Sequence, residues 1–250
     1  MSKVAVITGA TGGIGFAVAK RLGQDGFTVV LNGIEDDMGA KRVEELAAEG
    51  ITAEYYGFDV TKEEEVTANI TKIGEKYGVI DVLVNNAGGL GGRQRFEEMT
   101  TEFYRFVMAL NLDSAFFASR AAIPFLKKSD NASIINYTSN AGWNAGGPGA
   151  GIYGTSKGAV HTLTRALAKD LAEYGIRANA VSPGTIDTDF HKQIKSTKPE
   201  VFKSWANNIM LGRLGQPEDV AGVVSFLASK DAAFITAETI QVGGGQALGI

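Results

Sequence analysis

The chain has 250 residues, 44% hydrophobic and 21% charged, with no cysteine and a formal net charge of −4. Its length allows one large domain or two small ones and is enough to bury a core without metal or disulfide. The lack of cysteine excludes a disulfide scaffold, thiolate-held zinc and a thiol nucleophile, and a mildly acidic chain with no basic tract argues against nucleic acid as a partner.

Short apolar runs alternate with longer helical patterns along the whole chain. The first run begins almost at once in MSKVAVITGA, which leaves no room for a signal peptide. Strands are expected at 4–8, 28–32, 53–59, 81–85, 133–138, 177–182 and 239–242. Helices are expected at 14–24, 37–49, 63–77, 101–127, 153–174 and 217–229. Several strands are apolar on both faces, as in a parallel sheet covered by helices on both sides. The pattern predicts an α/β fold: one domain over 1–250, a doubly wound parallel sheet of about seven strands. The segment 187–214 breaks the rhythm. It is polar, carries Pro199 and Trp205, and follows a strand end, so it is expected to be a lid over a site. No apolar stretch is read as long enough to span a membrane, and the expected location is the cytoplasm.

The first strand runs into TGATGGIG at 8–15. Gly9, Gly13 and Gly15 permit a tight turn, and the N–H groups opening the next helix suit a pyrophosphate. Alone, this is either such a cradle or an ordinary strand–helix turn; its place at the first βα junction favours the cradle. The second strand ends in LNGIEDD. An NADP site needs a cation there for the 2′-phosphate, whereas an NAD site favours an acid for the 2′-OH. The stretch offers Glu35, Asp36 and Asp37 and no Lys or Arg before Lys41. Either these acids serve the ribose or they open the second helix, where negative charge suits the dipole. Later comes GGPGAGIYGTSKGA, where Tyr153 and Lys157 stand one helical turn apart and share a face. They are either a solvated surface pair or an acid and the cation that tunes it.

Together, Thr8-Gly9-x-x-x-Gly13-x-Gly15, NNAG at 85–88, Tyr153-x-x-x-Lys157 and Pro183-Gly184 resemble the short-chain dehydrogenase/reductase family in order and spacing over essentially the whole chain. The resemblance implies a Rossmann-like fold, a nicotinamide cofactor and no metal. It implies Tyr153 as general acid and Lys157 as the cation that lowers the phenol's pKa and holds the nicotinamide ribose. It further implies Ser139 as holder of the substrate oxygen and Asn111 as the link from the lysine to a water chain. Cofactor contacts are implied for Gly9, Thr11, Gly12, Gly13, Ile14 and Gly15 in the turn, and for Asn32, Gly33 and Glu35 after the second strand. Asp59 and Val60 follow after the third strand, Asn86, Ala87 and Gly88 after the fourth, and Pro183, Gly184, Ile186 and Thr188 after the sixth. Position 12, basic in many NADP-preferring members, is Gly12 here; with the acids at 35–37 this favours NAD(H), with NADP(H) as the alternative. Members usually form tetramers through two long helices, here 101–127 and 153–174. The small and apolar residues around most of the second suggest a buried partner face, hence a homotetramer.

One departure stands out. Tyr153 follows Ser139 by 14 positions, one more than the family usually shows, and the extra residue lies in a glycine-rich loop that suits a backbone closing on a small polar substrate. NNAGGLGGR, GGPGAGIYG, VSPGTIDTDFH and MLGRLG are similar to a narrower group, bacterial reductases of 4-deoxy-L-erythro-5-hexoseulose uronate from alginate. That resemblance implies a small keto-acid sugar as substrate and 2-keto-3-deoxy-gluconate as product. Arg93 is then either a carboxylate clamp or a surface arginine, and His191 either a donor to the same anion or a helix-entry residue; Gly149 would offer its backbone N–H. The alternatives are a 3-oxoacyl-carrier-protein reductase, another small-ketone or sugar dehydrogenase of the family, and, from another class, a non-catalytic dinucleotide sensor. Arg93 and Arg95 are too few charges for a carrier-protein dock, and a sensor has no need of the Tyr153–Lys157 pair.

Overall fold

Val4, Val6, Ala5 and Ile7 alternate between two apolar clusters, one on each side of the first strand, because successive side chains of a strand point to opposite faces. The computed structural model describes residues 3–246. In it the strands β1 (Lys3–Ile7), β2 (Phe27–Gly33), β3 (Ala53–Gly57), β4 (Val82–Asn85), β5 (Ser133–Tyr137), β6 (Arg177–Pro183) and β7 (Thr239–Val242) form one sheet in the order β3-β2-β1-β4-β5-β6-β7. Every neighbouring pair is parallel. The helices α1 (Gly13–Gln24), α2 (Asp36–Ala48) and α10 (Pro217–Ala228) lie on one side. The other side carries α3 (Glu63–Tyr77), α4 (Thr101–Met108), α5 (Ser114–Leu126) and α7 (Gly151–Leu171). The chain is a single Rossmann-like domain, and the order of strands reverses between β1 and β4, where such sheets open a crevice at their carboxyl ends.

Two expectations are corrected. The helix expected at 101–127 is two helices joined by a π turn, Ala109–Asp113, within which Asn111 is buried. The run Thr101–Leu126 also does reach the length and hydropathy of a membrane span. Here it lies across the sheet, with Val107, Ala118, Ala122 and Leu126 fully inside. The polar segment 187–214 holds a 3-10 turn at Asp189–His191, the short helices α8 (Lys192–Thr197) and α9 (Pro199–Ser204), and a second turn at Trp205–Asn208. Phe202 and Ile209 give it a small core of its own. Its two ends are joined by a parallel bridge between Ile186 and Gly215 and by Asp187 N–H donating to Gly215 O at 2.8 Å. One further short helix, α6 (Ala141–Asn144), was not expected; it ends at Ala145 in the left-handed region, φ 63°.

On α7 the polar Thr155, Thr162, Arg165 and Lys169 are exposed, as is Ala166, while Ala159, Leu163 and Leu167 stay half-buried. Exposed aromatic residues include Tyr104 and Phe106 on α4, Phe116 on α5, Phe226 on α10 and Phe234 ahead of β7, besides Phe96, Trp143, Tyr174 and Phe190.

Candidate active site

A cavity of about 750 Å³ opens at the carboxyl ends of the strands beside the β1–β4 crevice. Its floor begins with the glycine turn. A Cβ on Gly9 would stand 2.9 Å from the Cα of Ala87, and one on Gly15 only 2.4 Å from the Gly9 carbonyl oxygen. Only glycine allows this turn to lie so close to the 86–88 segment. The two segments are laced together: Asn86 donates to the carbonyls of Thr8 and Gly9 (2.9 and 2.8 Å), and Ala87 N–H donates to the Thr8 hydroxyl (3.0 Å). No side chain caps α1 at Gly12, and Gly12, Gly13, Ile14 and Gly15 all line the cavity. Uncapped N–H groups and a positive helix end facing open space fit the pyrophosphate of a dinucleotide.

The other cofactor candidates divide. Asn86, Gly88, Pro183, Gly184, Ile186 and Thr188 line the same cavity, whereas Thr11, Asn32, Gly33, Glu35, Asp59, Val60 and Ala87 do not. Asn32 is a brace: its Oδ1 accepts from Gly9 N–H at 3.2 Å and its amide donates to Phe58 O at 2.9 Å. Asp59 closes an Asx turn on Thr61 ahead of α3, and Val60 is buried in the core. Gly33 packs on Thr11, where a Cβ would meet Thr11 Cγ2 at 2.5 Å. Glu35 is exposed at the start of α2.

Tyr153, Ser139 and Lys157 meet at the cavity wall. Tyr153 and Lys157 lie in the first two turns of α7, and Ser139 follows the end of β5. Burial pushes the Tyr153 phenol above its ordinary pKa, and the hydrogen bond with Ser139 pulls it part of the way back. Lys157 is buried, donates to Tyr137 O at 2.9 Å, and is lowered by that burial to about 8. Its ammonium stands 5.9 Å from the Tyr153 ring centroid. Burial is the larger influence on both groups, and the Lys157 ammonium is bonded to the β5 carbonyl. Asn111 grips the loop after β4, accepting from Gly89 N–H (3.0 Å) and donating to Gly89 O (2.9 Å). A Cβ on Gly88 would touch Asn111 Oδ1 at 2.8 Å and Lys157 Nζ at 2.9 Å, so these two polar groups flank one point. Asn111 can reach it because the π turn offsets the helix there.

Arg93 also lines the cavity, with Nη1 donating to Pro148 O at 2.9 Å. Gln94 N–H donates to Gly149 O at 3.1 Å. The glycine-rich loop is thus strapped to the 93–94 segment. Gly149 itself faces that strap, 3.0 Å from Arg93 Cβ for an added Cβ, and does not line the cavity; Gly146, Gly147 and Ala150 do. Gly149 as a substrate contact is corrected on this ground. His191 lines the cavity inside an aromatic cluster, with ring centroids 5.0 Å from Phe190, 5.5 Å from Phe202 and 5.3 Å from Trp205. Burial lowers its pKa, so it stands there as a neutral ring. Among the described residues no cluster of side chains suits a metal ion.

Several lining residues escaped sequence reasoning: Asn140, Asn144, Asn208 and Gln246. Asn140 and Asn144 sit in a stretch already singled out for its glycines. Asn208 and Gln246 arrive from far along the chain and carry no local signal. Gln246 Oε1 accepts from Thr185 N–H at 2.8 Å, which fixes it just ahead of the 187–214 segment. Among the described residues the buried Oδ1 of Asn140 has no hydrogen-bond partner.

A family model described as enoyl-(acyl carrier protein) reductase matches residues 9–247. The chain is 36% identical over 244 residues to dehydrogenase/reductase SDR family member 4 of Homo sapiens, covering 98% of this chain and 87% of the relative. Among solved structures it is similar to the Thermoplasma acidophilum aldohexose dehydrogenase, with a TM-score of 0.88 and 35% identity over 99% of this chain and 94% of that one. It is also similar to a structure from Beutenbergia cavernae described as an NAD(P)-dependent gluconate 5-dehydrogenase with bound NADP. There the TM-score is 0.92 and the identity 32%, over 98% of this chain and 97% of that one.

Proposed function

The chain belongs to the short-chain dehydrogenase/reductase family, an NAD(P)-dependent oxidoreductase, and from that membership we propose that it reduces the carbonyl of a small acidic keto-sugar. The best candidate is 4-deoxy-L-erythro-5-hexoseulose uronate. One observation carries the reading. The Tyr153–Ser139–Lys157 group opens into a cavity walled by the amides Asn140, Asn144, Asn208 and Gln246, with Trp205 and Arg93 beside them. Amides that donate and accept suit hydroxyl groups, an indole face suits the C–H side of a sugar, and a guanidinium suits a carboxylate. The relatives described as aldohexose and gluconate dehydrogenases agree with that class.

The chemistry supplied by a bound nicotinamide is hydride donation to the carbonyl carbon. The chain's residues do the rest. The glycine turn and the N-terminus of α1 hold the pyrophosphate, and Asn86, Gly88, Pro183, Gly184, Ile186 and Thr188 line the way to the reacting end. Ser139 holds the substrate oxygen beside the Tyr153 phenol. Tyr153, kept protonated by burial, gives its proton to that oxygen. Lys157 and Asn111, which flank one point at Gly88, hold the nicotinamide ribose and carry the replacement proton inward. The segment 187–214 closes over the bound sugar, and the aromatic cluster around His191 keeps water out. The exposed aromatics of α4 and α5 form the contact of a homotetramer, and the cysteine-free chain works in the cytoplasm.

Arg93→Ala tests the substrate reading. With the contact desolvated under the closed 187–214 segment, it is expected to cost roughly 2–4 kcal/mol in kcat/KM for a keto-uronate, mostly through KM. A neutral ketone would lose only what the loosened Gly147–Pro148 loop costs. Equal losses on both substrates would leave Arg93 as a strap for the loop and remove it as the carboxylate clamp.

The exposed acids after β2 support NADH over NADPH by at least about tenfold in kcat/KM, on the order of 1.4 kcal/mol. Steady-state comparison of the two cofactors at fixed substrate checks this, and equal values would mean that Glu35 points away from the ribose.

A further inference from the structure

We propose that Arg42, restrained by Glu45, sets how well the adenosine corner of the site accepts a ribose 2′-phosphate. The proposal rests on the nicotinamide-cofactor reading and deepens it. Arg42 lies seven residues after Glu35, two turns along α2 and on the same face. Its Nε donates to Thr11 O at 2.9 Å, and its guanidinium lies over the Phe16 ring, 4.4 Å from the centroid. Thr11 is the residue on which Gly33, the last residue of β2, is packed. The cation, the glycine turn and the end of β2 therefore converge on one residue, in the corner where this fold receives the adenosine ribose.

The Thr11 bond and the Phe16 stack fix the plane of the guanidinium, and among the described residues only its Nε and Nη1 are hydrogen-bonded. A planar fork held in this way matches the oxygens of a phosphate. Glu45 opposes it, since its carboxylate pairs with Nη1 at 2.6 Å. The pair is only partly exposed, at 24% and 36% for the two side chains. Glu35, Asp36 and Asp37 add negative charge at the start of the same helix. Discrimination at this corner is then a balance between one cation and several acids, with the cation already in place. From sequence the nearest basic residue was Lys41; the two-turn return of α2 makes Arg42 the relevant one.

Isothermal titration of the full chain with adenosine 5′-monophosphate and with adenosine 2′,5′-diphosphate reads the corner without turnover. Arg42→Gln is expected to weaken the diphosphate about fivefold or more while leaving the monophosphate within about twofold. Glu45→Gln is expected to tighten the diphosphate about twofold to fivefold, again with the monophosphate unchanged. Equal losses for both probes in Arg42→Gln would make the residue a brace for Thr11 and overturn the inference. Unchanged diphosphate affinity in either variant would overturn it as well. A wild-type protein that binds neither probe would overturn the cofactor reading itself, whereas monophosphate binding with no response to the variants would overturn only the role of Arg42.

Discussion

Replacing Tyr153 with Phe is expected to lower kcat by roughly 10²–10⁴-fold and to leave dinucleotide affinity within a few-fold. The substitution removes one hydroxyl and keeps the ring. The ring is largely enclosed, 6.3 Å from Phe190 of the lid segment, so its packing survives. What is lost is a proton held in place: burial keeps the phenol protonated at neutral pH, and Ser139 fixes its direction. Stopped-flow NADH oxidation with an activated ketone gives the rate, and quenching of protein fluorescence by NADH gives the affinity. Turnover above about a tenth of wild type would remove Tyr153 from the proton transfer.

Lys157→Met is expected to abolish most activity and, near pH 7, to make the folded chain more stable. The ammonium is buried, with its pKa brought down from 10.5 to about 8, and burial is the cause. Below pH 8 both folded and unfolded chains hold the proton, and the folded state bears the full cost of burying the charge, on the order of 3 kcal/mol. Between pH 8 and 10.5 the unfolded chain binds more protons than the folded one, so wild-type stability rises with pH across that window. A methionine has no charge to bury. Its advantage in urea midpoint is therefore expected at pH 7 and is expected to shrink by pH 10. The Tyr137 carbonyl loses its donor in this variant, which reduces the advantage by about 1 kcal/mol. A variant that is less stable than wild type by the same amount at both pH values would show that the Lys157 hydrogen bond outweighs its desolvation.

The parallel sheet was legible in the sequence because its strands are apolar on both faces, and the seven runs fall on β1–β7 with shifts of only a residue or two at their ends. The glycine turn was legible because Gly9 and Gly15 stand where no Cβ fits. The π turn at Asn111 was hidden: an apolar helix pattern runs through 101–126 without a break, and the offset is a local change of hydrogen bonding that periodicity does not register. The helices of the 187–214 segment were not legible because they are short and few of their residues are buried, Phe202 among them. Arg93 shows the limit of reading charge alone. Its place at the cavity was foreseen, but part of its guanidinium is bound to the loop carbonyl of Pro148. Asn208 and Gln246 join the cavity only through tertiary folding, so nothing in their own neighbourhoods singled them out.

The most direct test of the proposed activity is one substrate panel, read as kcat/KM by NADH oxidation with the purified wild-type chain. It would hold a 5-keto-uronate, neutral keto-sugars, diacetyl and a β-ketoacyl thioester. The amide wall, Trp205 and Arg93 predict the highest value for the keto-uronate, with neutral keto-sugars next and the thioester at least about tenfold lower. A thioester or diacetyl turned over faster than every sugar would contradict the keto-sugar reading while leaving the reductase intact. No NADH oxidation with any carbonyl would contradict the catalytic assignment of Tyr153, Ser139 and Lys157 itself.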